Sequence, residues 1–161
     1  MGYYNEIAEG YNNLYKEEQL KKIDIILSNI KINQEDKLLD VGCGTGVSSK
    51  RFKCRVYGID PSEKLLEKAG NGFFIKAYAE NIPFEDTFFD IVIAVTSMHN
   101  FYDINRGIDE MKRVGNNLFV FSVLKKSEKF ELIKKKIYAS FDVKNVIDEG
   151  KDLIFFCSLL S

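Results

Sequence analysis

Leu38-Leu39-Asp40-Val41-Gly42-Cys43-Gly44-Thr45-Gly46 joins an apolar run to alternating glycines, with a carboxylate just ahead of the turn. A chain that turns sharply and lets a ligand approach bare backbone needs glycine at such positions. A helix expected over residues 45–52 would aim its N-terminus at that ligand and favour a negative group. Eighteen residues beyond Gly42, the run Val56-Tyr57-Gly58-Ile59-Asp60 ends in a second carboxylate. An acid at the end of a second strand suits two hydrogen bonds to ribose hydroxyls. A dinucleotide turn requires G-x-G-x-x-G, but the third site counted from Gly42 is Val47. The alternative to a nucleoside site is a bare tight turn, and the two acids at this spacing weigh against it. Further along, Thr96-Ser97-Met98-His99-Asn100-Phe101-Tyr102 follows another apolar run. His99 is the sole histidine, and its ordinary pKa near 6.5 suits proton transfer. A hydrogen-bonded loop histidine is the plainer reading. Phe101 and Tyr102 either wall a pocket or cover the core.

Alternating strands and helices must hold these groups. Residues 5–30 read as a helix, with Ile7, Tyr11, Leu14, Leu20, Ile23, Ile26, Leu27 and Ile30 at three- and four-residue steps. Strands are expected over 37–41, 55–60, 73–77, 88–95 and 117–124. Helices are expected from Pro61 or Ser62 to Ala69, over 105–114 with Asp103 as N-cap, and over 128–139. Residues 141–147 and 152–160 read as strands joined by the hairpin signal Asp148-Glu149-Gly150-Lys151. This order predicts an α/β fold with a mostly parallel sheet and helices on both faces.

The spacing of Gly42, Gly44 and Gly46, with Asp40 before and Asp60 after, resembles motif I of the class I S-adenosylmethionine-dependent methyltransferases. Asp60-Pro61-Ser62 is similar to that family's acid-P-S start of the second helix. Ala77-Tyr78-Ala79-Glu80-Asn81-Ile82-Pro83-Phe84, followed by Phe89-Asp90-Ile91-Val92, resembles its adenine loop and fourth strand. The flavour is that of the ubiquinone-biosynthesis-like (methyltransferase type 11) subgroup, and the match runs from residue 4 to about residue 124. The resemblance implies a Rossmann-like three-layer sandwich, with a seven-stranded sheet in the order 3-2-1-4-5-7-6 and the last strand antiparallel. It implies S-adenosylmethionine as cofactor and S-adenosylhomocysteine as product. Asp40, Gly42, Cys43, Gly44 and Gly46 would border the methionine moiety, Asp60 and Pro61 the ribose. Ala79 would serve the adenine through its backbone N–H. Tyr78 stands where the subgroup carries an aspartate, and Glu80 is the substitute two residues on. Thr96 would face the cofactor. Tyr4-Asn5-Glu6-Ile7-Ala8-Glu9-Gly10-Tyr11 resembles the segment that folds over it, which makes Tyr11 a lining residue. His99 is the expected base for an acceptor that carries a proton. No Asn/Asp-Pro-Pro-Tyr/Phe follows the fourth strand and no Pro-Cys occurs, which argues against adenine-amino, glutamine-amide and cytosine-C5 methylation.

The 161 residues, 45% hydrophobic and 29% charged, fit one globular domain. They divide into an N-terminal helical cap over 1–36 and a core over 37–160. The apolar runs fall short of the ~18 residues a membrane span needs. Three cysteines without a CxxC argue against a disulfide framework or a zinc knuckle and lead us to expect a cytoplasmic protein with no leader. Lysine clusters at 50–55 and 125–136 allow an RNA surface, which a net charge of −1 does not favour. Short loops leave only 1–36 and 96–104 to cover an acceptor. That predicts a shallow site, a large acceptor, or completion by an activating partner or a second copy. A cofactor-binding regulatory subunit without activity is the rival from another class.

Overall fold

The computed structural model describes the backbone of residues 2–70 and 72–161 and the side chains of residues 13–70 and 72–161. Seven strands form one sheet in the order β3-β2-β1-β4-β5-β7-β6. They are β1 (Lys37–Val41), β2 (Arg55–Asp60), β3 (Phe73–Lys76), β4 (Phe89–Val95), β5 (Gly115–Leu124), β6 (Phe141–Asp148) and β7 (Asp152–Leu159). The first five pair in parallel, and β7 runs antiparallel to both of its neighbours. The sheet order and strand directions agree with the expectation.

Side-chain alternation splits the core between the two faces of the sheet. On β4, Ile91, Ile93 and Val95 pack with Leu38, Val120 and the helix α1 (Gly2–Asn29). Val92 and Ala94 point the other way, into Phe119, Phe121 and the helices α3 (Ile104–Val114) and α4 (Phe130–Ser140). Asp103 caps α3, its carboxylate accepting from the Arg106 N–H at 3.1 Å. The short α2 (Glu63–Glu67) is capped by the Ser62 hydroxyl, which accepts from the Leu65 N–H at 3.3 Å. It stops before Ala69, where the sequence placed its end.

One expected element is absent from its place. Residues 45–52 do not form a helix; they hold a single 3-10 turn, Ser49–Arg51. Gly44 and Gly46 both take positive φ, and the Ser49 hydroxyl bonds back to the Gly46 carbonyl at 3.1 Å. A serine that captures a carbonyl of the preceding turn competes with helix formation. The turn therefore presents no helix N-terminus to a ligand.

The lysine clusters are partly neutralised. Lys125 pairs with Asp148 at 2.8 Å, Lys136 with Asp109 at 2.9 Å and Arg51 with Asp24 at 2.8 Å. No helix among the described residues is long and apolar enough to cross a membrane.

Candidate active site

The carboxyl ends of β1 and β2 are tied together. The N–H groups of Gly42 and Cys43 both donate to the Ile59 carbonyl, at 2.8 and 3.0 Å. Gly42 sits at φ +85, and a Cβ there would lie 2.6 Å from the Cβ of Ser97. The Ser97 hydroxyl in turn donates to the Val41 carbonyl at 2.8 Å, so the loop after β4 is clamped onto this turn. Gly42→Ala is expected to destabilise the fold by about 1–3 kcal/mol through strained backbone and displaced Ser97. A lowered urea midpoint checks this, and an unchanged one contradicts it.

Asp60, 8% exposed, is held by two backbone donors: the Gly44 N–H at 3.0 Å to one oxygen and the Ser62 N–H at 2.9 Å to the other. Its orientation is fixed before any ligand arrives. Asp40 is 4% exposed and differently served. Burial pushes its pKa up to about 7, eased by Ser49 and added to by the charge of Asp60. The Cys43 thiol packs against Gly58, where a Cβ would lie 2.7 Å from its sulfur. Burial, then the charges of Asp40 and Asp60, push that thiol far above the ordinary range, so it is no thiolate nucleophile. Its small size is what the position uses.

These groups line a cavity of about 660 Å³ at the carboxyl ends of the parallel strands. Of the expected residues, Asp40, Gly42, Cys43, Gly44, Asp60, Pro61, Ala79, Glu80 and Thr96 all reach it. Gly46 does not. It makes the turn beneath, where a Cβ would press on the Phe74 ring at 3.1 Å. His99 is not among the lining residues either; its carbonyl accepts from the Lys129 ammonium at 3.1 Å. Burial lowers its pKa, with the nearby Asp152 acting the other way. The Tyr11 side chain lies outside the described residues. As the sequence allowed for residues 1–36, α1 supplies part of the wall with Tyr15, Lys16 and Gln19, and Leu65 of α2 and the following Lys68 add to it. At the mouth the Tyr78 and Tyr102 rings stand 5.8 Å apart, Tyr102 largely exposed. Glu80 is positioned from α3, its carbonyl accepting from the Arg106 side chain at 2.8 Å.

A family model described as "Methyltransferase domain" matches residues 39–117, from the glycine turn through the adenine-type loop to the start of β5. An uncharacterised protein of Methanocaldococcus jannaschii is 30% identical over 158 residues, which cover 94% of this chain and 62% of that one. Over residues 39–117 the chain is similar to methyltransferase domains. Solved structures share the fold. An S-adenosylmethionine-dependent methyltransferase from Aquifex aeolicus superposes with a TM-score of 0.73 at 20% identity, covering 88% of this chain and 92% of that one. A methyltransferase solved with the Trm112 activator, from Haloferax volcanii, gives 0.77 at 14% identity, covering 94% of each. The chain spans about half to three-fifths of the length of the curated relatives it matches.

Beneath the cavity lies a polar cluster absent from the sequence-based expectations. Thr96, at φ +52, donates to Asp152 at 2.6 Å and accepts from the Lys22 ammonium at 2.8 Å. Ser122 donates to the same Asp152 oxygen at 2.7 Å, and Lys22 stands 3.3 Å from the other. Gln19 joins them, donating to the Val95 carbonyl at 3.4 Å. Thr96 is thus at once a lining residue and a strut between β4, α1 and β7. A signal was present: Gln19, Lys22, Ile23 and Ile26 share i, i+3, i+4, i+7 spacing, so the buried stripe of α1 begins with polar members.

Proposed function

We propose that this chain is a methyltransferase that uses S-adenosylmethionine and acts on an acceptor presented at the open cavity mouth. One observation carries the reading. Where a dinucleotide site needs a helix N-terminus for pyrophosphate, this turn offers none, and two buried carboxylates, Asp40 and Asp60, line the cavity instead. That donor set fits a cationic nucleoside and rejects a diphosphate. Bound there, the sulfonium supplies a methyl group reactive enough for in-line displacement.

The residues then act by placement. Asp60 takes the ribose hydroxyls beside Pro61. Gly42, Cys43 and Gly44 give backbone room to the methionine end, with Asp40 behind them and Gly46 shaping the turn. Ala79 and Glu80 meet the adenine, and Tyr78 and Tyr102 shield it from water. Thr96 closes the floor. If the acceptor carries a proton, His99 is the base we assign, since burial keeps its imidazole neutral and able to accept. His99→Ala then loses transfer while cofactor affinity stays, and unchanged transfer removes His99 from the mechanism.

Incubation of the chain with methyl-labelled cofactor and cell-extract fractions tests the whole reading. Label passing to one fraction, and lost in Asp60→Ala, supports an enzyme. Saturable cofactor binding with no transfer to any fraction favours the regulatory subunit. An activating protein is the partner we favour over a second copy or RNA, because a structural neighbour was solved with a methyltransferase activator.

A further inference from the structure

The two cavity carboxylates are unequally prepared to carry charge. Asp60 receives a backbone N–H on each oxygen. Asp40 has only the Ser49 hydroxyl beside it, and that hydroxyl, 3.1 Å from the Gly46 carbonyl, has a single hydrogen that can serve one of the two acceptors at a time. A protonated Asp40 can donate to the Ser49 oxygen while Ser49 keeps its bond to Gly46. An ionised Asp40 would need that hydrogen, leaving the Gly46 carbonyl with the Lys50 N–H, 3.1 Å away, as its one donor. The remaining surroundings do not favour a charge. Asp60 at the end of β2 repels it, and the Cys43 thiol on the turn stays protonated. Glu80 adds a third acid to the lining, while Lys16 of α1 and Lys68 beside α2 are exposed at the rim. Among the described residues, no lysine or arginine forms an ion pair with Asp40.

We propose that Asp40 is protonated in the empty cavity and releases its proton when the α-ammonium group of the cofactor's amino-acid end binds beside it, so that cofactor uptake is coupled to proton release. The inference rests on the cofactor reading above. The proton passes from the carboxyl group to water, the carboxylate becomes the counter-charge of the ligand, and the Ser49 hydroxyl turns to donate to it. No other covalent bond is made or broken, and Ser49 gives up its hydrogen bond to the Gly46 carbonyl. Asp40 would then set the pH range over which the cavity accepts a cation, a role separate from the ribose grip of Asp60.

The test is calorimetric titration of the wild-type chain with S-adenosylhomocysteine, which keeps the charged amino-acid end and has no methyl to lose. Runs in phosphate and in Tris at equal pH, from about 6 to about 8.5, count protons from the difference in observed enthalpy. We expect nearly one proton released at about pH 6, about half of one near pH 7 and almost none at about 8.5. Affinity should rise about tenfold per pH unit up to pH ~7 and then level off. Asp40→Asn should bind with no buffer dependence. Ser49→Ala should keep the proton release and move the levelling to higher pH, because the carboxylate loses its donor. Saturable binding with buffer-independent enthalpy overturns the proposal, as does proton release that persists in Asp40→Asn. No binding at any pH overturns the cofactor reading as well, which separates the two failures.

Discussion

Asp152→Ala is expected to cost the fold about 3–5 kcal/mol, the range for breaking a buried ion pair by removing one partner. Lys22 and Asp152 have side chains only 4% and 0% exposed. Asp152 also accepts from Thr96 and Ser122, so its loss leaves the buried Lys22 ammonium without its counter-charge and strands the buried Ser122 hydroxyl. A loss of that size is a large share of the 5–15 kcal/mol that holds a domain of this kind together. Urea unfolding measures it, and a loss below about 1 kcal/mol would show that the pair is relaxed by solvent. The double variant Lys22→Met with Asp152→Leu should cost far less, because no charge is left behind. The pair also fastens α1 across the cavity floor. In the single variant, cofactor affinity should therefore fall at temperatures where the protein is still folded.

Asp60→Ala should weaken binding of S-adenosylmethionine by ~1.5–3 kcal/mol, the usual worth of hydrogen bonds to a charged group. The carboxylate is fixed by Gly44 and Ser62 before the ligand arrives, so little side-chain entropy is lost on binding. Removing it also frees those two N–H groups to reorganise the turn. Calorimetry giving the wild-type affinity would end the assignment of Asp60 to the ribose. The effect on the folded state should stay smaller than that of Asp152→Ala, since Asp60 borders an open cavity that water enters.

Local signals and assembled structure contributed differently. The mostly parallel sheet followed from strands and helices that alternate and from a closing hairpin marked by Asp148 and Gly150, whereas its strand order was implied by the family resemblance. The cavity acids were legible because β1 and β2 each end in a carboxylate, and strand ends in a parallel sheet face one crevice. Asp103 was found as a cap because a cap is a contact between near neighbours. The 45–52 segment misled because its helix-like spacing competes with a serine–carbonyl bond and with glycines at positive φ. Gly46 read as a ligand contact from spacing alone, whereas its neighbour in space is Phe74. The basic clusters read as open patches because their acidic partners, Asp24, Asp109 and Asp148, come from distant parts of the chain.

By itself the sequence determined the alternation of elements, the glycine turn and the placement of two acids at neighbouring strand ends. These depend on residue type and on spacing within a few turns of chain. Only the tertiary structure decided that Lys22, Thr96, Ser122 and Asp152 meet in one cluster, that α2 lends Leu65 to the cavity wall, and that Asp40 lacks the donors Asp60 has. Burial and hydrogen-bond supply belong to the assembled neighbours of a group. No local pattern reports how much water or how many N–H groups a carboxylate will find once the sheet has closed around it.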